Sequence, residues 1–286
     1  MPTSPLLLAQ LSDTHVVARD QTHVAGTDAD HPLDPNRRLR LAVESVLAET
    51  VPVSAVVMTG DLANEGRPEQ YEAIAELIAP LDVPVLAIPG NHDDRASIRT
   101  LVPGLPWVDA EHASWSMVHE GVTIIGLDTT HLGFHGAEFD DERAVWLDTA
   151  LADADLAGGP TLLAMHHPPF RSGISWMDRS GFIGLERFAE VVSAHSVDRI
   201  LCGHMHRPMN ALVGGTIAQV GLSTVQHVAL EFDVGDVTPL KMIDGPPGYL
   251  VHRFDDGTWV SHTRYIDLDA RPFVPAWADE HLERNR

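Results

Sequence analysis

Five short stretches carry side chains that bind hard or borderline metal ions. They are "DTH" with Asp13 and His15, "GD" with Asp61, "GNHDD" with Asn91, His92 and Asp93, "MHH" with His166 and His167, and "CGHMH" with His204 and His206. Oxygen and imidazole donors suit Mn²⁺, iron or Zn²⁺, whereas a soft-metal site would recruit Cys and Met. The number of donors fits two ions. Two cations roughly 3.5–4 Å apart can share a carboxylate and a hydroxide, polarise a phosphoryl oxygen and lower the pKa of water towards ~7. Asp61 suits the bridging carboxylate, because Gly60 before it lets the backbone approach closely. Each stretch alone is commonplace, since a lone His after a strand is usually structural. Five in succession, all built from Asp, Asn and His, point to one site.

In "CGHMHRP" the only cysteine stands beside two histidines. Such a cluster can be a small zinc site, or the histidines can reach donors elsewhere in the chain. Cys202 lies just before Gly203, where the chain can turn, and reads as buried strand filler.

Apolar runs at 5–13, 54–61, 83–91, 122–129, 161–167 and 198–204 read as strands buried on both faces. Helical periodicity marks 37–50, 67–80, 94–101, 141–153 and 182–195. Strand–helix alternation implies an α/β chain with right-handed crossovers, and the five donor stretches then share the carboxyl edge of the strands. After residue 207, short alternating runs read as antiparallel strands that form or complete a second sheet. One domain is expected over residues 1–270. Residues 271–286 look like a tail, anchored by Phe273 and Trp277 on the body or on a neighbouring subunit.

The 286 residues include 19 Lys and Arg against 41 Asp and Glu, a net charge of −22. That balance argues against nucleic acid as partner, which needs clustered basic residues, and against an anionic membrane surface. It leaves an anionic substrate open, because bound cations can reverse the local sign. One cysteine allows no intramolecular disulfide, no run approaches a membrane span, and the N-terminus lacks a basic signal region. A cytoplasmic protein is expected.

The series "DTH", "GDLANEG", "PGNHDD", "MHHPP" and "GHMH" resembles the signature of the calcineurin-like metallophosphoesterases, over about residues 5–265. Within that family it is most similar to the branch of bacterial class III cyclic-nucleotide phosphodiesterases and glycerophosphodiesterases. The resemblance implies a four-layer αββα sandwich of two mixed β-sheets flanked by helices. It implies two divalent or mixed-valence ions, from Fe, Mn and Zn. One is held by Asp13, His15, Asp61 and His206, the other by Asp61, Asn91, His166 and His204. His92 would face the substrate phosphate, Asp93 would hold the His92 imidazole, and Asn64 would bond near the bridging hydroxide. The implied activity is hydrolysis of a small anionic phosphodiester, a 3′,5′-cyclic nucleotide such as cAMP or a glycerophosphodiester, by hydroxide generated on the metals. A homo-oligomer, dimer or larger, is implied too. A phosphomonoesterase would use the same metals, a nuclease would need a basic track, and a non-catalytic module should have lost donors or His92.

Other residues draw plainer readings. His167 and Asp128 read as structural, and His131 and His135 as surface or rim. His23 and His31 could line the substrate side. The glycerophosphodiesterase branch that the sequence resembles has a histidine close to His227, but it aligns with Gln226, and because a one-residue offset reverses the face of a strand the resemblance does not carry a substrate role to His227. The 170–184 segment, with Trp176, either contacts the leaving group or is a plain connection.

Overall fold

The computed structural model describes residues 5–21, 33–109, 111–232 and 239–266. Runs buried along all but at most their first residue form the strands that carry the site. β1 (Leu6–Leu11), β2 (Ala55–Thr59) and β3 (Val85–Ile88) alternate with α1 (Pro35–Leu47), α2 (Pro68–Ile78) and α3 (Arg95–Leu101). Next come β4 (Trp115–His119), β5 (Val122–Leu127), the two-residue β6 (Ala137–Glu138), α4 (Asp141–Ala157) and β7 (Thr161–Met165). The two-residue β8 (Phe182–Ile183), α5 (Leu185–Ser193), β9 (Arg199–Cys202), β10 (Met209–Val213) and β11 (Thr216–Val220) follow. The two-residue strands β12 (His227–Val228) and β13 (Met242–Ile243) precede the long hairpin of β14 (Gly248–Asp255) and β15 (Thr258–Tyr265). Three helices begin on an aspartate whose carboxylate accepts an orphan N–H of the first turn: Asp34, Asp94 and Asp140.

The first sheet runs β15-β14-β1-β2-β3 and the second β10-β11-β9-β7-β5-β4. Each is parallel in part and antiparallel at an edge, so both are mixed. The sheets meet through β2 with β7 and β3 with β5, while α1–α3 and α4–α5 form two separate helical layers. This is the four-layer sandwich. Trp115 on β4 donates its indole N–H across the sheets to Ala87 O on β3, at 2.8 Å.

The C-terminal strands depart from expectation. β10 and β11 complete the second sheet, but β11 runs parallel to β9. The β14–β15 hairpin returns to the first sheet, antiparallel to β1. The cause is the burial of β1 on both faces and both edges, which needs a partner opposite β2. The β4 strand, unrecognised in the sequence, closes the far edge of the second sheet.

A polar chain ties the sheets beneath the donor edge. Gln10 Nε2 donates to Thr59 Oγ1 (3.1 Å) and to Cys202 O (2.8 Å), and its Oε1 accepts from His252 Nε2 (2.9 Å). Burial pushes His252 down to about 3, so the ring is neutral and its Nδ1 accepts from Ser261 Oγ. Among the described residues no helix is long and apolar enough to cross a membrane.

His195, just after α5, donates from Nε2 to Asp148 and from Nδ1 to Asp155, both on α4, at 3.0 and 2.8 Å. Both bonds require the charged ring. The hydrogen bond to Asp148, with the one to Asp155, raises the His195 pKa above its ordinary 6.5. A raised folded-state pKa gives stability that is fully present below the ordinary value and lost as pH rises through the folded one. His195→Gln should therefore lower the melting temperature near about pH 5.5 and change it little near about pH 9. Thermal unfolding of both proteins across that range checks this, and an equal deficit at both ends contradicts it.

Candidate metal centre

The donors follow the C-terminal ends of β1, β2, β3, β7 and β9, where the backbone turns sharply. Among the described residues seven other than glycine have positive φ, and five of them are Asp13, His15, Asp61, His204 and His206. Left-handed backbone costs an L-residue roughly 1–2 kcal/mol and persists only where surroundings fix it. Backbone bonds do so here: Asp13 N donates to Gly60 O (3.1 Å), His15 N to Asp61 O (3.0 Å) and Gly203 N to His166 O (2.9 Å). Donor side chains add to them, with His92 N on Asp61 Oδ1 and His204 N on Asp13 Oδ1, each at 2.9 Å. Gly60 and Gly90 are obligatory. A Cβ on Gly60 would lie 2.5 Å from His166 Nδ1, and one on Gly90 would lie 2.2 Å from Asp61 Oδ1.

Asp61 occupies the middle of the cluster. Its Oδ2 lies 3.3 Å from His166 Nε2 on one side and 3.7 Å from His15 Nε2 on the other. On the first side, Asn91 Oδ1 lies 3.2 Å from His166 Nε2 and 3.0 Å from His204 Nδ1. On the second, His206 Nε2 lies 3.0 Å from His15 Nε2 and 3.5 Å from Asp13 Oδ1. The donor atoms of Asp13, His15, Asp61 and His206 all lie within 4.8 Å of one another.

The tautomers show that this donor set fits cations. His166 Nδ1 must donate to Thr59 O (2.8 Å), and His206 Nδ1 to Gln226 O (3.0 Å). In the neutral rings each Nε2 then carries only a lone pair, aimed at carboxylate oxygens. Burial pushes His15 well below its ordinary value and His204 down to about 3, which keeps both in the neutral, coordinating form. Burial alone would raise Asp61, yet His166 and the other imidazoles hold it well below the carboxylate range. Burial opposes a charge on His166, but Asp61 carries it up to about 9. The buried carboxylates and the inward-facing imidazole lone pairs together suit positive charge at the centre of the cluster.

The family model for calcineurin-like phosphoesterases matches residues 6–208. The chain belongs to that family. It is 32% identical to the glycerophosphodiester phosphodiesterase GpdQ of Enterobacter lignolyticus, over 97% of this chain and 96% of that one. It is 30% identical to the cAMP/cGMP dual specificity phosphodiesterase MT0825 of Mycobacterium tuberculosis, over 89% of this chain and 78% of that one. The fold matches that of a dimetal phosphatase from Danio rerio with a TM-score of 0.66 at 15% identity, covering 93% and 97% of the two chains.

Against this calcineurin-like frame the remaining residues sort by contact. Asp93 corrects an expectation: it does not hold His92. Its carboxylate accepts from Leu62 N, Ala63 N, Gly90 N and the Tyr71 hydroxyl at 2.9–3.0 Å, stitching the β2 turn to the β3 turn. Burial raises it to about 6. His92 is instead held by Asn64, whose backbone O accepts from its Nδ1 at 2.7 Å. The Asn64 side chain lines the cleft. His135 is exposed at the rim, as expected, but it also touches the site: its Nδ1 accepts from Asn91 Nδ2 at 3.3 Å, which turns the amide oxygen towards His166 and His204. No strand-end pattern flags it, because it sits eight residues past the end of β5.

Other expectations stand as read. His167 is buried between Thr129 Oγ1 (2.8 Å) and the backbone O of His135 (3.2 Å). Asp128 receives Arg95 Nε at 2.6 Å and Ala113 N at 2.9 Å. His131 pairs with Glu138 at 2.6 Å. Cys202 is buried in β9, and burial pushes its thiol far up. Gln226 and Val228 line the cleft, whereas the His227 ring lies against Gly245. His23, His31 and the tail with Phe273 and Trp277 lie outside the described residues.

Backbone strain at the donors is directly measurable. His206→Gly and His206→Ala remove the same imidazole, but only glycine relaxes a φ of 50°. With chelator present, the glycine variant should be more stable than the alanine variant by about 1 kcal/mol, the reverse of the usual order. Urea unfolding checks this; an alanine variant of equal or greater stability contradicts it.

Proposed function

We propose that this chain is a dinuclear-metal phosphodiesterase acting on small anionic phosphodiesters. The observation that supports it best is the position of Asp61 between two donor groups, at the floor of a cleft of about 500 Å³. Asp13, His15, Asp61 and His206 would hold one cation, and Asp61, Asn91, His166 and His204 the other. The oxygen and imidazole donors suit iron, Mn²⁺ or Zn²⁺. Two such ions, when bound, supply Lewis-acid polarisation of the phosphoryl group and acidify water.

The chain's own residues do the rest. His92 faces the cleft, its ring 4.8 Å from that of His15. Because Nδ1–H donates to Asn64 O, Nε2 is left to face the phosphate; with the ring doubly protonated, Nε2–H donates to a phosphate oxygen and passes that proton to the departing alkoxide, leaving the neutral Nδ1–H tautomer. Asp93 keeps the turn carrying His92 in place through its three backbone N–H groups. His135 fixes the orientation of the Asn91 amide.

With a charge of −22 the partner is a small molecule, not nucleic acid or membrane. We read the protein as cytoplasmic, since its single cysteine is buried filler and calls for no oxidising compartment. A homo-oligomer accords with Leu212 on the edge strand β10 and Ile217 on its neighbour β11, both exposed apolar side chains.

Assay of Mn²⁺-supplemented enzyme on bis(p-nitrophenyl) phosphate and p-nitrophenyl phosphate tests the reading. The diester should be favoured by at least about tenfold in kcat/KM, and His92→Ala should lower kcat by roughly 10²–10⁴ with metal content unchanged. A monoester preference, or full turnover without His92, contradicts it.

A further inference from the structure

The floor of the cleft is polar, but not all of the cleft is. Met177, Val228, Leu240 and Met242 add apolar side chains to its lining, together with the partly solvent-exposed Trp176. A polyol head laid against these alkyl and thioether groups finds no hydrogen-bond partner among them. They do favour a flat aromatic group, which sulfur and indole contact well. Ser180 and Gln226 add polar atoms to the same cleft, as the edge of a heteroaromatic ring requires.

Trp176 is also held ready. It is 39% exposed, yet its loop is braced on both sides. Two residues before it, Ile174 is 3% exposed and anchored in the core. Two residues after it, the Asp178 carboxylate accepts from Ser172 N (2.9 Å), Ser172 Oγ (2.8 Å) and Gly173 N (2.9 Å). Asp178 N in turn donates to Ile174 O at 3.0 Å. Gly173 backs onto Phe232: a Cβ there would lie 3.2 Å from the Phe232 ring, so the loop closes against the segment that carries Gln226 and Val228. A large indole presented by a rigid loop in a cleft binds without first ordering itself.

We propose that Trp176 determines specificity by stacking on a planar aromatic group of the diester, so that the enzyme selects base- or aryl-bearing diesters over glycerol-type ones. The proposal rests on the phosphodiesterase reading above and sharpens its substrate class. Base–aromatic stacking is worth about a tenfold to hundredfold change in affinity.

Isothermal titration of the metal-loaded wild type, Trp176→Ala and Trp176→Phe with 5′-AMP and with glycerol 3-phosphate tests it. Trp176→Ala should weaken AMP by about tenfold to a hundredfold and shift glycerol 3-phosphate by less than about twofold, while Trp176→Phe retains most AMP affinity. The KM for 3′,5′-cyclic AMP should rise in parallel with little change in kcat, and that for bis(p-nitrophenyl) phosphate likewise if any flat ring suffices. Equal losses for both titrants, an unchanged AMP affinity, or a wild type that binds glycerol 3-phosphate as tightly as AMP overturns the proposal. AMP binding through Trp176 in a protein that cleaves no diester supports this assignment and defeats the phosphodiesterase reading.

Discussion

Two carboxylates, Asp13 and Asp61, are 0% and 2% exposed, and the ion-pair partners they meet are imidazoles. Ionised groups removed from water carry a desolvation cost that only opposite charge can offset. In this chain the offset is arranged geometrically. Five donors sit on left-handed backbone, Gly60 and Gly90 clear the space around Asp61, and His166 and His206 spend their Nδ1 protons on carbonyls so that Nε2 faces inward. Each feature is unfavourable alone. Together they make a pocket complementary to cations, which explains why strain gathers there and not along the rest of the strands.

The sandwich is the means of holding those donors. Asp13, His15, Asp61 and Asn91 follow strands of the first sheet, while His166, His204 and His206 follow strands of the second. The site therefore exists only while the sheets keep their register. The Gln10 side chain bonds to Thr59 on one sheet and to Cys202 on the other, directly beneath two donor turns. Thr59 O also receives the His166 ring, so β1, β2, β7 and β9 are cross-linked by polar bonds a few residues from the metal ligands.

Much of this was legible in the sequence, because buried parallel strands leave continuous apolar runs and donors at their ends stand out against them. Asp13, His15, Asp61, Asn91, His166, His204 and His206 converge as the spacing suggested. What escaped did so for physical reasons. The destination of β14 depends on which edge of β1 needs a partner, and an alternating run carries no such information. The partners of Asp93 and His92 are backbone atoms: three N–H groups for Asp93 and the Asn64 carbonyl for His92. Backbone atoms leave no signature in residue types. His135 enters the site from a loop, where neither strand nor helix periodicity applies.

An acidic protein that handles an anionic substrate is no contradiction once the metal centre is considered, since bound cations set the sign of the cleft locally. Whether Asp61 is shared between two cations decides the account. Metal content of purified, Mn²⁺-loaded wild type, His206→Ala and Asp61→Ala, measured by native mass spectrometry, should show two ions per chain, one and none, respectively. An Asp61→Ala protein that keeps two ions, or that loses only the one that His206→Ala loses, would contradict it.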